Sequence, residues 1–316
     1  MLSNKVLVTG GNGFFGRYIC KELLAADFEV VSTYHDNIKG LLPGVIYEQC
    51  DLEIEDDIGD FIPWIKPDYV IHAAGYNGGI KFNIDNPYDI YSKNILMANN
   101  LFRALMRYKP KKTVSIVASC AYDSSKQILL PHHILEGEPN HTVACHGYAK
   151  RHLQLLSRFA LHQHGLDAVT ACATTLYGPG DSVDPNKTKV MMALIKKFVD
   201  AKRNNTDVEV WGTGRARRQF IFAKDAAKAL KKVLFEYNDN YNPVHLCGTD
   251  GDITIMALCE IIKKVTEFQG NVIFNDNHPD GQMKKELYPS PEMFGLQYTT
   301  LEEGIRETVN WYQNLE

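Results

Sequence analysis

A doubly wound α/β fold is predicted: one parallel sheet with helices on both faces, followed by a smaller C-terminal α/β lobe. Three observations carry this. Lys5 to Gly16, KVLVTGGNGFFG, passes from a short β-branched strand through a glycine turn into a helix. Short apolar runs of the same kind alternate with amphipathic stretches to about residue 180. Beyond that point the alternation loosens, so residues 1–180 are read as the main domain and 181–316 as mostly the smaller lobe, with some elements returning to the main sheet.

In the first turn Gly10, Gly13 and Gly16 recur at three-residue spacing, and Phe14 opens the helical stretch. The first glycine permits a tight turn, the second lets a diphosphate approach the backbone, and the third lets helix and strand pack closely. Free N–H groups and the helix dipole favour a phosphate there. This is the pattern of a Rossmann-type dinucleotide site. Phe28 to Thr33 is predicted as the second strand. At its end Asp36 suits a ribose hydroxyl, whereas His35, Lys39 or Arg17 suits a ribose phosphate, so the pattern leaves NAD(H) and NADP(H) both open. After the strand VIYEQC, Asp51 and Leu52 stand where such folds hold the adenine.

Asp68 to Ala74 is the fourth strand, where small Ala73 and Ala74 let a cofactor lie against the backbone and His72 is read as structural. Gly75 to Asn83 is expected to be a flexible loop. A long amphipathic helix follows from Tyr88 to Arg107, offering Ile90, Ile95, Leu96, Leu101, Leu105 and Met106 for burial. Asn94 on it can bind a neighbouring backbone or simply face solvent. Thr113 to Ser119 is the fifth strand; parallel sheets bind ligands at strand carboxyl ends, which places Ala118, Ser119 and Cys120 at a site. Gly147 to His162 is the next helix, carrying Lys150, and Ala168 to Thr175 is the sixth strand, followed by the turn LYGPGD. Helices are expected over Lys189 to Ala201 and over the final LEEGIRETVNWYQ, with strand-and-turn VEVWGTG and the strand-then-helix stretch RQFIFAKDAAKALKKVLF between them.

Composition narrows the function. The 316 residues carry a net charge of −4, which implies no general affinity for nucleic acid or anionic membranes. No apolar run reaches the length of a membrane span, and the first strand begins so early that no secretory leader is expected. Seven cysteines (20, 50, 120, 145, 172, 247, 259) are scattered without metal-ligand spacing, which suggests reduced thiols in a cytoplasmic protein and no metal site.

The motifs VTGGNGFFG, KPDYVIHAA, GGIKFN, ASCAY, LYGPGD, VWGTGRARRQFIF, PDGQMKK and LEEGIRETVNWY together resemble the extended short-chain dehydrogenase/reductase family of nucleotide-sugar enzymes. Within it they are most similar to the branch that epimerises and reduces GDP-4-keto-6-deoxymannose. The resemblance implies NADP(H), or NAD(H), as cofactor, a GDP-sugar substrate held by the C-terminal lobe, and a homodimer through the helices near 88–107 and 147–162. It also implies a Ser–Tyr–Lys reductase set in which the lysine charge lowers the tyrosine pKa.

Here the set is altered. Ala118 stands at the serine position, with Ser119 beside it as a substrate contact on the other side of the strand. Lys150 matches the lysine, and His146 stands four residues earlier where tyrosine is expected. A shifted reading, Tyr148 with His152, loses the lysine. His146 can donate a proton, hydrogen-bond the sugar, or be a relic; a nearby ammonium lowers its pKa and weakens the first role. The epimerase pair implied by the resemblance is Cys120 as base and Lys189 as acid, on opposite faces of the ring. Read as plain residues, Cys120 is also a good small buried side chain and Lys189 a good solvated one. Arg218 matches the arginine that grips a diphosphate; Trp211 and the PDGQMKK segment match the region around nucleotide and sugar, where Lys284 and Lys285 can reach phosphate or simply be exposed charges. Thr174 and Thr175 replace the usual Thr-Asn. The implied activity is epimerisation, with reduction through His146 and Lys150; the alternative is a catalytically silent homologue that binds cofactor and sugar nucleotide.

Overall fold

The structure, a computed structural model, describes residues 4–36, 40–278, 280, 282–290 and 295–315. Lys39, and Pro279 and Gly281 of the PDGQMKK motif, lie outside the described residues. The strands are β1 (Lys5–Thr9), β2 (Glu29–Tyr34), β3 (Val45–Gln49), β4 (Tyr69–His72), β5 (Lys112–Ala118), β6 (Ile128–Leu129), β7 (Ala168–Ala173), β8 (Thr175–Tyr177), β9 (Val208–Trp211), β10 (Arg217–Phe222), β11 (Val244–Leu246), β12 (Asp252–Thr254), β13 (Val272–Asn275) and β14 (Glu286–Leu287). The helices are α1 (Phe14–Leu24), α2 (Glu55–Ile65), α3 (Ile80–Asp85), α4 (Pro87–Tyr108), α5 (Ala144–His164), α6 (Val190–Asn204), α7 (Ala223–Glu236), α8 (Ile255–Thr266) and α9 (Leu301–Gln313).

Seven strands form one parallel sheet in the order β11-β7-β5-β4-β1-β2-β3. Strand alternation sorts its side chains into two cores. Val6, Val8, Val30, Ile71 and Val114 join α1 and α7 on one face. Leu7, Val31, Val70 and Val117 join α2, α4 and α5 on the other. Because both faces are covered, these strands read as continuous apolar runs rather than as alternating ones. The order reverses between β1 and β4, so the carboxyl ends of these two strands open the crevice where a ligand can sit. A third core gathers α6, α8 and α9 around β9 and β10. β11, late in the chain, returns to the edge of the main sheet.

The structure departs from the sequence-based expectation at four places. The stretch expected to be a flexible loop up to Asn83 is helical from Ile80, and buried Asn83 holds Asn77, Gly78 and Gly79 through its Nδ2. The sixth strand divides at Thr174, whose amide donates to Leu246 O at 3.0 Å; β8 then belongs to a separate sheet, β12-β10-β8. On α4, Leu96 is 42% exposed and Ile95 half-buried, while Met97 and Ala98 take the buried positions. Ser119 is not a strand residue but opens a 3-10 turn over Ser119–Ala121, so strand alternation does not govern its side chain. Among the described residues no helix is long and apolar enough to cross a membrane.

Candidate active site

The glycine turn is shaped by close contact. Gly10 has φ +70°, and a Cβ there would lie 2.9 Å from the Ala74 Cα. A Cβ on Gly16 would lie 2.2 Å from Gly10 O, so α1 can press on the turn only as glycine. Gly13 is the N-cap of α1 with no side-chain cap, and the first turn holds no acidic residue. A backbone cradle with uncapped N–H groups and no carboxylate fits a dinucleotide diphosphate. Phe14 packs edge-on to Tyr18 at 5.8 Å. Ala73 and Ala74 directly follow β4, with the Ala74 amide on Thr9 Oγ1 at 3.3 Å. His72 Nδ1 meets the same hydroxyl at 2.8 Å; burial pushes this imidazole down to about 3, leaving it neutral and structural.

Leu52, expected near the adenine, is buried and its carbonyl accepts from Asn100 Nδ2 at 3.1 Å. Asp51 accepts from the Glu53 amide at 2.9 Å and faces His35 Nε2 at 3.2 Å. His35 also pairs with Asp36. Arg17, considered for a phosphate, is held instead by Gly180 O at 2.9 Å, and Tyr18 OH donates to Pro179 O at 2.8 Å. These two bonds tie α1 to the LYGPGD turn.

The reactive groups gather where β5 ends. A Cβ on Gly147 would lie 2.5 Å from Cys120 O, so the first turns of α5 rest directly on the Ser119–Ala121 turn. That contact brings Lys150 near Cys120, and His146 lies near Lys150. Lys150 Nζ donates to Ile116 O at 2.9 Å. His146 is buried with Nδ1 lacking a hydrogen-bond partner. Tyr148 and His152, the shifted pair, are engaged elsewhere: Tyr148 OH donates to Glu138 while its ring lies against Arg151, and His152 Nε2 meets Asn99 Oδ1 at 2.9 Å.

Charge sets the protonation of this cluster. Burial raises the Cys120 thiol above its ordinary value, and the ammonium groups of Lys285, Lys150 and Lys189 oppose only part of that rise. Burial, then Lys150, Lys189 and Lys285, hold His146 well below its usual range, so it is a neutral imidazole. Burial brings Lys150 down to about 8. Lys189 is the exposed N-cap residue of α6. Nearby Asp181 is buried with Oδ2 unpartnered; burial raises its pKa and Lys189 opposes the rise. Asp181 was not singled out by the sequence, though it closes the LYGPGD turn that the sequence did mark. Thr174 Oγ1 is a further buried atom without a partner, at the end of β7.

On the substrate side, Arg218 lies on β10 with Nη1 donating to Arg217 O at 2.7 Å and Gln282 O at 2.6 Å. Trp211 is 63% exposed and stacks on His278 at 4.4 Å. Lys284 pairs with Glu286 at 2.9 Å, whereas Lys285 faces inward toward Cys120, Cys172 and Arg218. Ser119 is half-buried at the mouth of the cluster.

Asn94 serves the site at one remove. Its Oδ1 accepts from the Tyr76 amide at 3.1 Å, and its Nδ2 donates to Tyr76 O at 2.8 Å and Ile90 O at 2.6 Å. It thereby clamps the segment after β4 to α4. Asn94→Ala leaves those buried backbone groups unpaired and is expected to cost about 2 kcal/mol of stability, read from urea denaturation.

Comparison with known proteins follows from this geometry. The profile of the NAD dependent epimerase/dehydratase family matches residues 6–246. The chain is 31% identical over 315 residues to a probable GDP-L-fucose synthase 1 of Oryza sativa subsp. japonica, covering 98% of this chain and 92% of that protein. A crystal structure of a GDP-L-fucose synthetase from Naegleria fowleri superimposes with a TM-score of 0.85 at 27% identity, covering 99% of this chain and 94% of that one. The same protein bound to NADP gives 0.84 at 26% identity, covering 99% and 95%.

Proposed function

This chain belongs to the NAD dependent epimerase/dehydratase family, and from that premise we propose that it is a GDP-sugar epimerase and reductase of the GDP-L-fucose synthase kind. Its substrate is a GDP-4-keto-6-deoxyhexose or a related GDP-sugar. The observation that carries this is the cluster of Cys120, Lys150 and His146 at the end of β5, ringed by Lys189 and Lys285. The names of the relatives favour an enzyme over a catalytically silent homologue.

The glycine cradle, Phe14, Asp51, Leu52, Ala73, Ala74 and Lys150 would hold NADP(H), with NAD(H) accepted in the same cradle. When bound, this cofactor supplies hydride to the keto carbon. The work of the chain itself is acid–base. Cys120 as thiolate removes the proton beside the keto group, leaving an enolate, and Lys189 returns a proton from the opposite face of the ring. Neutral His146 and Ser119 hydrogen-bond the sugar, while Arg218 and Trp211 hold the diphosphate and the nucleotide. The Lys150 ammonium holds the nicotinamide ribose.

That last role has a pH signature. Lys150 is charged below about 8 and neutral above it. NADPH affinity is therefore expected to weaken by up to about tenfold between pH 7 and pH 9, and the slope is expected to vanish in Lys150→Met, measured by fluorescence titration.

We also read the chain as a cytoplasmic homodimer. Seven free thiols support the compartment. α4 and α5 pack together and leave Tyr88, Tyr91 and Phe159 outward, which supports a helical interface. The test of the function is proton exchange: incubation with GDP-4-keto-6-deoxymannose in deuterated water, followed at C3 and C5 by NMR, with NADPH oxidation read in parallel. Exchange supports the epimerase; binding of the sugar nucleotide with neither exchange nor oxidation would overturn the reading in favour of a silent homologue.

A further inference from the structure

The segment Gly75–Asn83 runs between two lysines of the site. Near its start, a Cβ on Gly75 would lie 3.9 Å from Lys150 Nζ. Further along, the Gly79 amide donates to Asn186 O at 3.2 Å, and a Cβ on Gly79 would lie 3.3 Å from Thr188 O, one residue before Lys189. The loop that Gly79 meets is folded by bonds of short range. Asp181 Oδ1 accepts the Ser182 amide at 2.8 Å, and Asp184 Oδ1 the Asn186 amide at 2.9 Å. Asp184 O accepts the Lys187 and Thr188 amides at 2.9 and 2.8 Å. These bonds give the loop a shape; its contact with Gly79 gives it a place.

Gly79 is in turn held by Asn83, which is 2% exposed. Asn83 Nδ2 lies 2.9 Å from Asn77 Oδ1, 3.0 Å from Gly79 O and 3.1 Å from Gly78 O. The Asn83 amide donates to Gly79 O as well, at 3.1 Å. Asn83 Oδ1 faces Cys145 Sγ at 3.5 Å, on the first turn of α5 beside His146. One buried side-chain amide thus joins the start of α5, the Gly75–Asn83 segment and, through Gly79, the start of α6. Removing its donor strands buried oxygens, which loosens the segment rather than merely deleting one contact.

We propose that Asn83 is a positioning residue for Lys189: by fixing Gly79 it fixes where the loop before α6 sits, and so where the Lys189 ammonium stands over the sugar ring. The proposal rests on the reading of Cys120 as base and Lys189 as acid. Cys120 takes the proton beside the keto group and becomes a thiol, leaving the enolate. With Lys189 in place, its ammonium returns a proton from the opposite face and the carbon is inverted. With Lys189 displaced, the thiol exchanges its proton with solvent and gives it back on the original face. The carbon then takes up solvent deuterium without inverting.

Two measurements test this, the first without sugar. Backbone hydrogen exchange is followed by mass spectrometry in the wild type and in Asn83→Leu, which keeps the volume and removes the donor. Exchange in peptides covering 75–79 and 182–189 is expected to quicken about tenfold, with β1 and β5 unchanged. Asn83→Ala repeats the measurement should the Leu variant fold poorly. In the second, deuterium uptake at C3 and C5 of GDP-4-keto-6-deoxymannose is compared with inversion at the same carbons. Asn83→Leu is expected to raise the ratio of uptake to inversion about tenfold, as Lys189→Met does, and the double variant is expected to match Lys189→Met alone. Unchanged exchange in 182–189, or a ratio that moves in Lys189→Met and not in Asn83→Leu or Asn83→Ala, would overturn the proposal. Quickened exchange in 182–189 with no deuterium uptake by the wild type would support the hold of Asn83 on the loop and overturn instead the reading of Cys120 and Lys189 as base and acid.

Discussion

Cys120→Ala is expected to slow exchange of the C3 and C5 protons of GDP-4-keto-6-deoxymannose with deuterated water by about 10²–10⁴-fold. The size follows from what is removed. Cys120 sits on a short turn held beneath α5, and three lysines oppose part of the rise in its pKa that burial causes. Alanine keeps the turn and the cradle but leaves no base within the cluster: His146 is neutral yet crowded by ammonium groups, and Lys150 is engaged by Ile116 O. Sugar-nucleotide affinity should change little, because Arg218 and Trp211 lie on other elements. Exchange persisting in the variant near the wild-type rate would remove Cys120 from the mechanism and leave it a packing residue.

The second large effect is a gain. Ala118→Ser combined with His146→Tyr is expected to raise NADPH oxidation on the keto-sugar by about 10²-fold. The reasoning is electrostatic. Burial and three ammonium groups keep His146 uncharged, and a neutral imidazole is a weak acid for protonating a sugar oxygen. A phenol at the same place would feel the same ammonium groups in the opposite sense: they lower its pKa and make it a better proton donor. A serine at 118 would add a hydroxyl at the end of β5, beside Ala173 across the sheet. Steady-state kinetics on the double variant and both singles separate the two contributions. A rate unchanged from wild type would mean that the present residues already donate the proton, and His146 would have to be reassigned as the acid.

Much of this site is legible in the chain itself. Strand, glycine turn and α1 depend on contacts made within a dozen residues, and the reasons for Gly10 and Gly16 are local: a positive φ and a carbonyl 2.2 Å from any added Cβ. The long helix α4 was legible from its apolar spacing, and His72 from its place in an apolar strand. The resemblance singled out Cys120, His146, Lys150, Lys189 and Arg218 as candidates.

Other assignments needed the folded chain. Periodicity could not choose between Ile95 or Leu96 and Met97 on α4, because which stripe is buried depends on where α2 and α5 press. That Tyr148 binds Glu138 and His152 meets Asn99, contacts that support the His146/Lys150 reading, could not be read from the chain. The split of β7 from β8 depends on a bond from Thr174 to β11. Arg17 was one of three candidates for a ribose phosphate, and its bond to Gly180 O of the LYGPGD turn, 163 residues on, could not be read from the sequence. Lys284 and Lys285 are adjacent and chemically alike, yet Lys284 pairs with Glu286 while burial lowers the Lys285 pKa, on a segment that Gln282 docks on Ser124 across 158 residues. Local sequence determines backbone conformation because torsions and short-range contacts act within a few residues; protonation and partner choice are set by burial and by charges several ångströms away through space, and only the tertiary structure brings those together.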